Sequence, residues 1–307
     1  THSDEFLLKN ESLTGSRHAG TMMDIGGTEV ILYGPNDRDN FLKDSIGSPD
    51  ILIVDYTAPE AVNENADLYC NLRIPFVIGT TGGDRKALEE RVKKSDISAV
   101  IAPNMALPIV SFQALMQSFA NSYQNQMTDY TLRIIESHQQ GKADTSGTAK
   151  AMVKYFNQLG IKFFEEQIEK IRDPAKQLEI GVSKEYLNGH GWHTYIIKAP
   201  ENKTSALDEL ENLFYRNFFT DNPALQEYNK EIEQPFMRAS SLDGNIVITA
   251  DGDGYGCLTF SHNINGRSVY VDGTFEGLRF SRSNLHEKGK AYSMIDVLEA
   301  KKKALNS

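Results

Sequence analysis

One run of the chain gathers more groups able to do chemistry than any other: Glu136-Ser137-His138-Gln139-Gln140-Gly141-Lys142-Ala143-Asp144-Thr145-Ser146-Gly147-Thr148-Ala149. Its residue types describe a site for a small dianion with an acid at hand. Ser146, Gly147 and Thr148 at a helix start offer free backbone N–H groups, hydroxyls and the positive end of a helix dipole, all suited to a carboxylate or phosphate. Lys142 just upstream can neutralise a second anionic group. His138 is the natural proton donor near neutral pH. Taken singly, Ser146 is an N-cap, Lys142 a solvated charge and His138 a loop residue. Their convergence points to function.

Other candidates are weaker. His190 and His193 in Gly189-His190-Gly191-Trp192-His193 would need further ligands to hold a metal, and none is expected. Asp251-Gly252-Asp253-Gly254-Tyr255-Gly256 is similar to a calcium loop, but position twelve is His262 where a bidentate Glu belongs, so a Gly-rich hairpin turn is expected. Gly15, Gly20, Gly26 and Gly27 follow no strand-then-helix phosphate pattern and read as loop.

The elements that must position the site follow from hydrophobic patterning. Ile51-Leu52-Ile53-Val54 is a continuous β-rich run and predicts a buried strand. Residues 59–72 predict a helix with Pro59 in its first turn. Strands at 74–78 and 98–102 flank a helix at 84–93. This β-α-β-α-β order implies parallel strands in a doubly wound sheet, with ligands at the strands' carboxyl ends. Three segments fall there: Asp55-Tyr56-Thr57, Gly79-Thr80-Thr81-Gly82 and Ala102-Pro103-Asn104. Beyond them come a helix at 109–123, a strand at 130–137 and a helix at 146–159. Further strands are predicted at 192–198, 245–249, 257–264 and 267–270, an α+β arrangement. Residues 201–243 are acidic, with a helical period at Leu207, Leu210, Leu213 and Phe214, and look like an insertion. A last helix spans 291–304 and ends on Lys301-Lys302-Lys303, favourable against its dipole.

The 307 residues are 40% hydrophobic and 24% charged, the balance of a globular protein with a sizeable core and room for two domains. The most apolar stretch, 97–116, is broken by Pro103, Asn104 and Pro108, so no membrane span is predicted. A net charge of −10 argues against a general nucleic-acid binder. Cys70 and Cys257 make no disulfide framework or zinc pattern and suit a reducing compartment.

The 136–149 run resembles the signature of the 4-hydroxy-tetrahydrodipicolinate reductase family, in the Ser-His-Gln-x-Gly-Lys form similar to the plant type. Further matches fall in order: Val54-Asp55-Tyr56-Thr57-Ala58-Pro59, Gly79-Thr80-Thr81-Gly82-Gly83-Asp84, Gly189-His190-Gly191-Trp192-His193, Asn265-Gly266-Arg267-Ser268 and Met294-Ile295-Asp296-Val297-Leu298. The resemblance implies hydride transfer from NADPH or NADH to a cyclic dicarboxylate in lysine biosynthesis by the diaminopimelate route. It implies His138 as the acid and Lys142 as the cation stabilising the anionic intermediate. Ser146, Gly147, Thr148 and Gln139 would hold substrate. Thr57, Gly79, Thr80, Thr81, Ala102 and Asn104 would line the nicotinamide end of the cofactor. The implied architecture is α/β: a Rossmann-like doubly wound nucleotide-binding domain of residues 1–107 and 267–307, and an α+β substrate and oligomerisation domain with a mixed sheet, residues 108–266. A homotetramer in the plastid stroma or the cytoplasm is the implied setting.

The sequence departs from the family in two places. The chain opens on Thr1-His2-Ser3 without initiator Met or signal core, the mark of a processed or partial product. Phe6-Leu7-Leu8 resembles the family's second strand, and Ile31-Leu32-Tyr33-Gly34-Pro35 a later one. The first strand and its pyrophosphate-binding glycine loop are therefore expected before Thr1. Residues 201–243 have no family counterpart and could dock a protein partner. Two functions follow: a working reductase, resting on His138, Lys142 and Ser146-Gly147-Thr148, or a catalytically silent relative assembling a plastid complex. Arg17, beside Lys9 and Glu11, could meet a 2′-phosphate, although a solvated charge is the default.

Overall fold

The structure is a computed structural model that describes residues 20–25, 27–33, 35–44, 46, 51–200, 236–241, 244–251 and 257–305. In chain order the elements are β1 (Gly20–Ile25), β2 (Thr28–Tyr33), α1 (Pro35–Asp44), β3 (Ile53–Asp55), α2 (Val62–Leu72), β4 (Phe76–Ile78), α3 (Arg85–Lys93), β5 (Ser98–Ile101), α4 (Leu107–Ser122), β6 (Thr131–His138), α5 (Gly147–Gln158), β7 (Glu169–Ile171), α6 (Pro174–Glu179), β8 (His190–Lys198), β9 (Phe236–Ser241), β10 (Gly244–Asp251), β11 (Cys257–Asn265), α7 (Val269–Ser283), β12 (Lys290–Tyr292) and α8 (Met294–Leu305).

Two sheets carry the architecture. The first is parallel, in the order β12-β5-β4-β3. Alternation along its short strands sends side chains to opposite faces. Phe76, Ile78, Ala99 and Ile101 pack with α2 and α3, while Val77 and Val100 pack with α7 and α8. Helices on both faces make it doubly wound, as the sequence pattern implies. The second sheet is mixed, in the order β7-β6-β8-β11-β10-β9, with β6 and β7 parallel and the other pairs antiparallel. One of its faces packs on α4 and α5 in the largest core, around Phe112, Phe119, Phe156, Tyr195 and Phe260. Helix α4 also reaches the first sheet through Val110, so it joins the two cores.

Several expectations need correction. The strand expected at 267–270 is absent: Val269 opens the fifteen-residue helix α7. Its inner ridge, Gly273, Gly277 and Ser281, recurs every fourth residue and lets the helix lie close on the sheet. A Cβ on Gly273 would stand 1.8 Å from the Met105 carbonyl oxygen, so only glycine fits. The strand expected at 51–54 is Ile53–Asp55; among the described residues it is the edge of its sheet, with Val54 40% exposed rather than buried. The helix expected from residue 59 begins at Val62, and the one expected from 291 begins at Met294, because Lys290–Tyr292 is the strand that pairs with β5. Gly20 belongs to β1, and Gly27, at φ 85°, turns the β1–β2 hairpin; Gly15 and Gly26 lie outside the described residues. Within the 201–243 segment the helical register falls outside the described residues, whereas Phe236–Ser241 is a strand. Strands β10 and β11 pair antiparallel with Asp251 opposite Cys257, and the turn expected at 251–256 otherwise lies outside the described residues. Hairpin β1–β2, helix α1 and the β7–α6 segment were not foreseen from periodicity.

Candidate active site

The 136–149 run spans the end of β6 and the start of α5. Ser146 is the N-cap of α5, its Oγ accepting from the Ala149 N–H at 3.5 Å. That hydroxyl also meets Nε2 of buried His193 at 2.7 Å. Burial pushes the His193 pKa well below its ordinary value, so the ring bonded to this hydroxyl is neutral. Ser146 itself is buried and fully engaged in these two bonds. What α5 presents outward is the backbone at Gly147, where a Cβ would meet nothing within 4 Å, and Thr148.

His138 ends β6 with its ring mostly covered. Its Nδ1 faces Oε2 of Glu136, two residues back on the same strand face, at 2.5 Å. Its Nε2 lies over Gly191, whose Cβ, if it had one, would stand 3.3 Å away. Glu136 is fully buried, and burial alone would raise its pKa. Hydrogen bonds from His138 and Arg172 outweigh that and hold the carboxyl below the usual range, so it is a carboxylate. The ring of His138 meets that of His193 edge-on at 5.2 Å, and His193 lies 4.7 Å from His262, its cross-strand neighbour. Burial drives the pKa of His262 down to about 3.

Lys142 is not the free cation its position suggests. Its Nζ donates to Oδ1 of Asp144 at 2.7 Å, and this bond holds the Asp144 carboxyl below its usual range. Asp144 is exposed, so an arriving anion can exchange for it at little cost. Gln139 contributes its carbonyl to the turn, accepting from Lys142 N at 2.9 Å.

On the first sheet, the carboxyl ends of β3, β4 and β5 stand side by side. Thr57 is fixed by buried Asp55, which accepts from its N–H at 2.8 Å and its hydroxyl at 2.6 Å, and also from Asn65 and Tyr69. Thr80 donates to the Thr57 carbonyl at 2.7 Å, and Thr81 is exposed. Tyr56 lies across Gly79, so a Cβ there would strike its ring at 2.2 Å. Ala102 is fully buried, its N–H donating to Ile78 O at 2.9 Å. Asn104 links the two sheets: its amide donates to Thr148 Oγ1 at 3.1 Å and its oxygen caps Ala106 N at 2.9 Å. The strand-end residues and the start of α5 are thus brought together, while Ala102 and Ser146 turn their side chains inward. Thr57 and Thr81 are exposed at these strand ends, while Thr80 is buried.

His190 and His193 point to opposite faces of β8, as an odd spacing requires, and cannot share an ion. His190 is held between Ser137 Oγ at 2.8 Å and the Tyr186 carbonyl at 3.0 Å. Sequence reasoning passed over Arg172, Gln177 and the pairing role of Glu136. Arg172 lies in an unpredicted segment, and only the Asp173-Pro174 start of α6 could have flagged it.

A doubly wound sheet joined through Asn104 and Thr148 to the helix start beside His138 and Lys142 defines a two-sheet α/β protein with a candidate active site at the junction. Known proteins agree. Residues 5–105 match the family description "Dihydrodipicolinate reductase, N-terminus" and residues 112–298 match "Dihydrodipicolinate reductase, C-terminus". A probable chloroplastic 4-hydroxy-tetrahydrodipicolinate reductase 2 of Oryza sativa subsp. japonica is 35% identical over 278 residues, 89% of this chain and 70% of that protein. Chloroplastic 4-hydroxy-tetrahydrodipicolinate reductase 2 of Arabidopsis thaliana is 34% identical over 284 residues, 91% of this chain and 66% of its own length. A dipicolinate-bound dihydrodipicolinate reductase from Paenisporosarcina sp. TG-14 is similar over 79% of this chain and 71% of its own, at TM-score 0.37 and 17% identity. The chain belongs to the dihydrodipicolinate reductase family, whose members are NAD(P)H-dependent oxidoreductases with a Rossmann-like N-terminal domain. It spans about two thirds of the length of these plant relatives.

Proposed function

We propose that the protein is a 4-hydroxy-tetrahydrodipicolinate reductase of lysine biosynthesis, and that residues 136–148 form its substrate site. The observation that carries this reading is the juxtaposition of His138, backed by a buried carboxylate, with the open start of α5, itself tied by Asn104 to the strand ends of the first sheet. NADH or NADPH, when bound, supplies the hydride. The chain's own residues do the rest. Backbone N–H groups at Gly147 and Thr148 hold one carboxylate of the substrate at the positive end of α5. The Lys142 ammonium leaves Asp144 for the anionic centre. His138 gives the proton from Nε2, while Glu136 accepts from Nδ1 and stabilises the charged ring until then. Thr57, Gly79, Thr80, Thr81 and Asn104 line the nicotinamide end, with buried Ala102 behind them. In this reading residues 1–107 and 267–307 bind nucleotide, and residues 108–266 bind substrate and build a homotetramer. The sheet face turned away from α4 and α5 supports such assembly, since Ile135, Thr194 and Ile196 are only half-buried there. The chloroplastic relatives favour the plastid. The identity with named reductases favours the working enzyme over the silent relative.

The test is NADPH or NADH oxidation with freshly generated substrate. Turnover is expected, with His138→Ala lowering kcat by about 10²- to 10⁴-fold and leaving substrate affinity nearly unchanged. Lys142→Ala should raise KM as well. No turnover with either cofactor, or a His138 effect confined to KM, would overturn the reading.

A further inference from the structure

Behind His138 lies a buried carboxylate with a guanidinium laid across it. Glu136 shares its two oxygens between partners: Oε2 meets His138 Nδ1, and the guanidinium of Arg172 spans both, at 2.6 Å from Nη2 to Oε1 and 3.2 Å from Nη1 to Oε2. The same guanidinium reaches the next turn of chain. Its Nε donates to the Lys142 carbonyl at 2.8 Å and its Nη2 to the Asp144 carbonyl at 3.2 Å. Arg172 follows β7 directly, and β7 lies parallel beside β6 with Glu136 opposite Lys170. Five residues on, in α6, the fully buried Gln177 donates from Nε2 to the His138 carbonyl at 2.7 Å.

A single segment, β7 through α6, therefore touches the ring support and the backbone of His138 and also the loop that carries Lys142. Arginine suits this task and lysine does not, because a planar fork can serve a carboxylate and two carbonyls at once while an ammonium is a point charge. The carboxylate held by the fork accepts the Nδ1–H of His138, which sets the tautomer and leaves Nε2 for proton transfer.

We propose that Arg172 is the positioning residue of the site, fixing His138 through Glu136 and the Lys142 loop through its backbone carbonyls. Arg172 itself needs no contact with substrate. The inference rests on the reductase reading for its kinetic consequence, but its structural content is measurable without substrate.

Three full-chain variants test it. Arg172→Met is expected to lower kcat about 100-fold, the cost of a misplaced catalytic group, with KM for NADPH within about twofold of wild type. Its kcat should also gain an acid limb, because Glu136 without its guanidinium takes up a proton at higher pH. Arg172→Lys, which returns charge without the fork, should stay about tenfold or more below wild type. Glu136→Gln keeps the shape and carries the test if Arg172→Met fails to fold. In ¹⁵N-histidine NMR, the hydrogen-bonded Nδ1–H of His138, assigned by its loss in His138→Asn, should be present in wild type and lost or shifted in Arg172→Met and Glu136→Gln. Wild-type kcat in Arg172→Met, full recovery in Arg172→Lys, or an unchanged His138 signal in both variants would overturn the proposal. If wild type itself shows no turnover, the reductase reading fails, and the NMR comparison still decides the positioning role.

Discussion

Two arginine–glutamate forks tie β6 to its neighbour, one to β7 itself and one to Arg172 just after it, and they do different things. At one end Arg133 holds Glu169 at 2.6 and 2.7 Å, with both side chains about half exposed. At the other Arg172 holds Glu136 at 2.6 Å, with Glu136 fully buried and the Arg172 side chain 18% exposed. The chemistry is the same, so the difference is burial. Water competes for the exposed fork and screens it, and such pairs contribute about 0–1 kcal/mol. In the second fork Glu136 has lost its water entirely and the guanidinium most of its own, so the carboxylate depends on its partner although the pair as a whole need not stabilise the fold. The first fork trims a sheet edge; the second sets a histidine.

The widest contrast is expected from removing one partner. Glu136→Ala leaves the guanidinium buried without its carboxylate and should cost about 3–5 kcal/mol in urea unfolding. Replacing both members, as Glu136→Leu with Arg172→Met, should recover much of that loss without restoring turnover. A double variant no more stable than Glu136→Ala would show that the fork is a net source of stability.

Acid pH should expose the buried face next. His262 has its folded pKa near 3 against an ordinary 6.5, so below about pH 6.5 the unfolded chain binds a proton that the folded chain refuses. Stability from this group is complete above pH 6.5 and falls as pH drops, by up to about 1.4 kcal/mol per unit. His262→Phe should flatten the slope measured by denaturant unfolding between pH 6 and 4. An unchanged slope would remove the histidine from the account. Glu136 and Glu169, both held below the usual carboxylate range, add losses of the same sign at lower pH, as each fork's carboxylate protonates.

The smallest effect belongs to the exposed fork. Arg133→Ala should cost no more than about 0.5 kcal/mol and less in high salt, measured by the same unfolding curves. A loss as large as that of Glu136→Ala would mean that burial is not what separates the two forks.

Much of this was legible in the residues. Continuous apolar runs bounded by turn residues located β4, β5, α3 and the parallel sheet, since a strand buried on both faces has little alternative pattern. The 136–149 run located the site because a strand end, a helix cap, a cation and a histidine fall within one short stretch. Helix α7 escaped because Gly273 and Gly277 lower helix propensity, and their purpose, a backbone close to Met105, is visible only in three dimensions. The family resemblance gives Ser146 to substrate, yet in the fold its hydroxyl goes to the Ala149 N–H and to His193, forty-seven residues away.

The sequence by itself determined the pieces: which segments are strands and helices, and which side chains could donate a proton or hold an anion. Local patterning suffices for that, because hydrophobic period and capping act within a few residues. The tertiary structure alone decided which of those side chains are free. Lys142 faces Asp144, Ser146 turns to His193, and His138 takes its orientation from Glu136 and Arg172. Such pairings form across strands that are distant in sequence, and burial sets their strength.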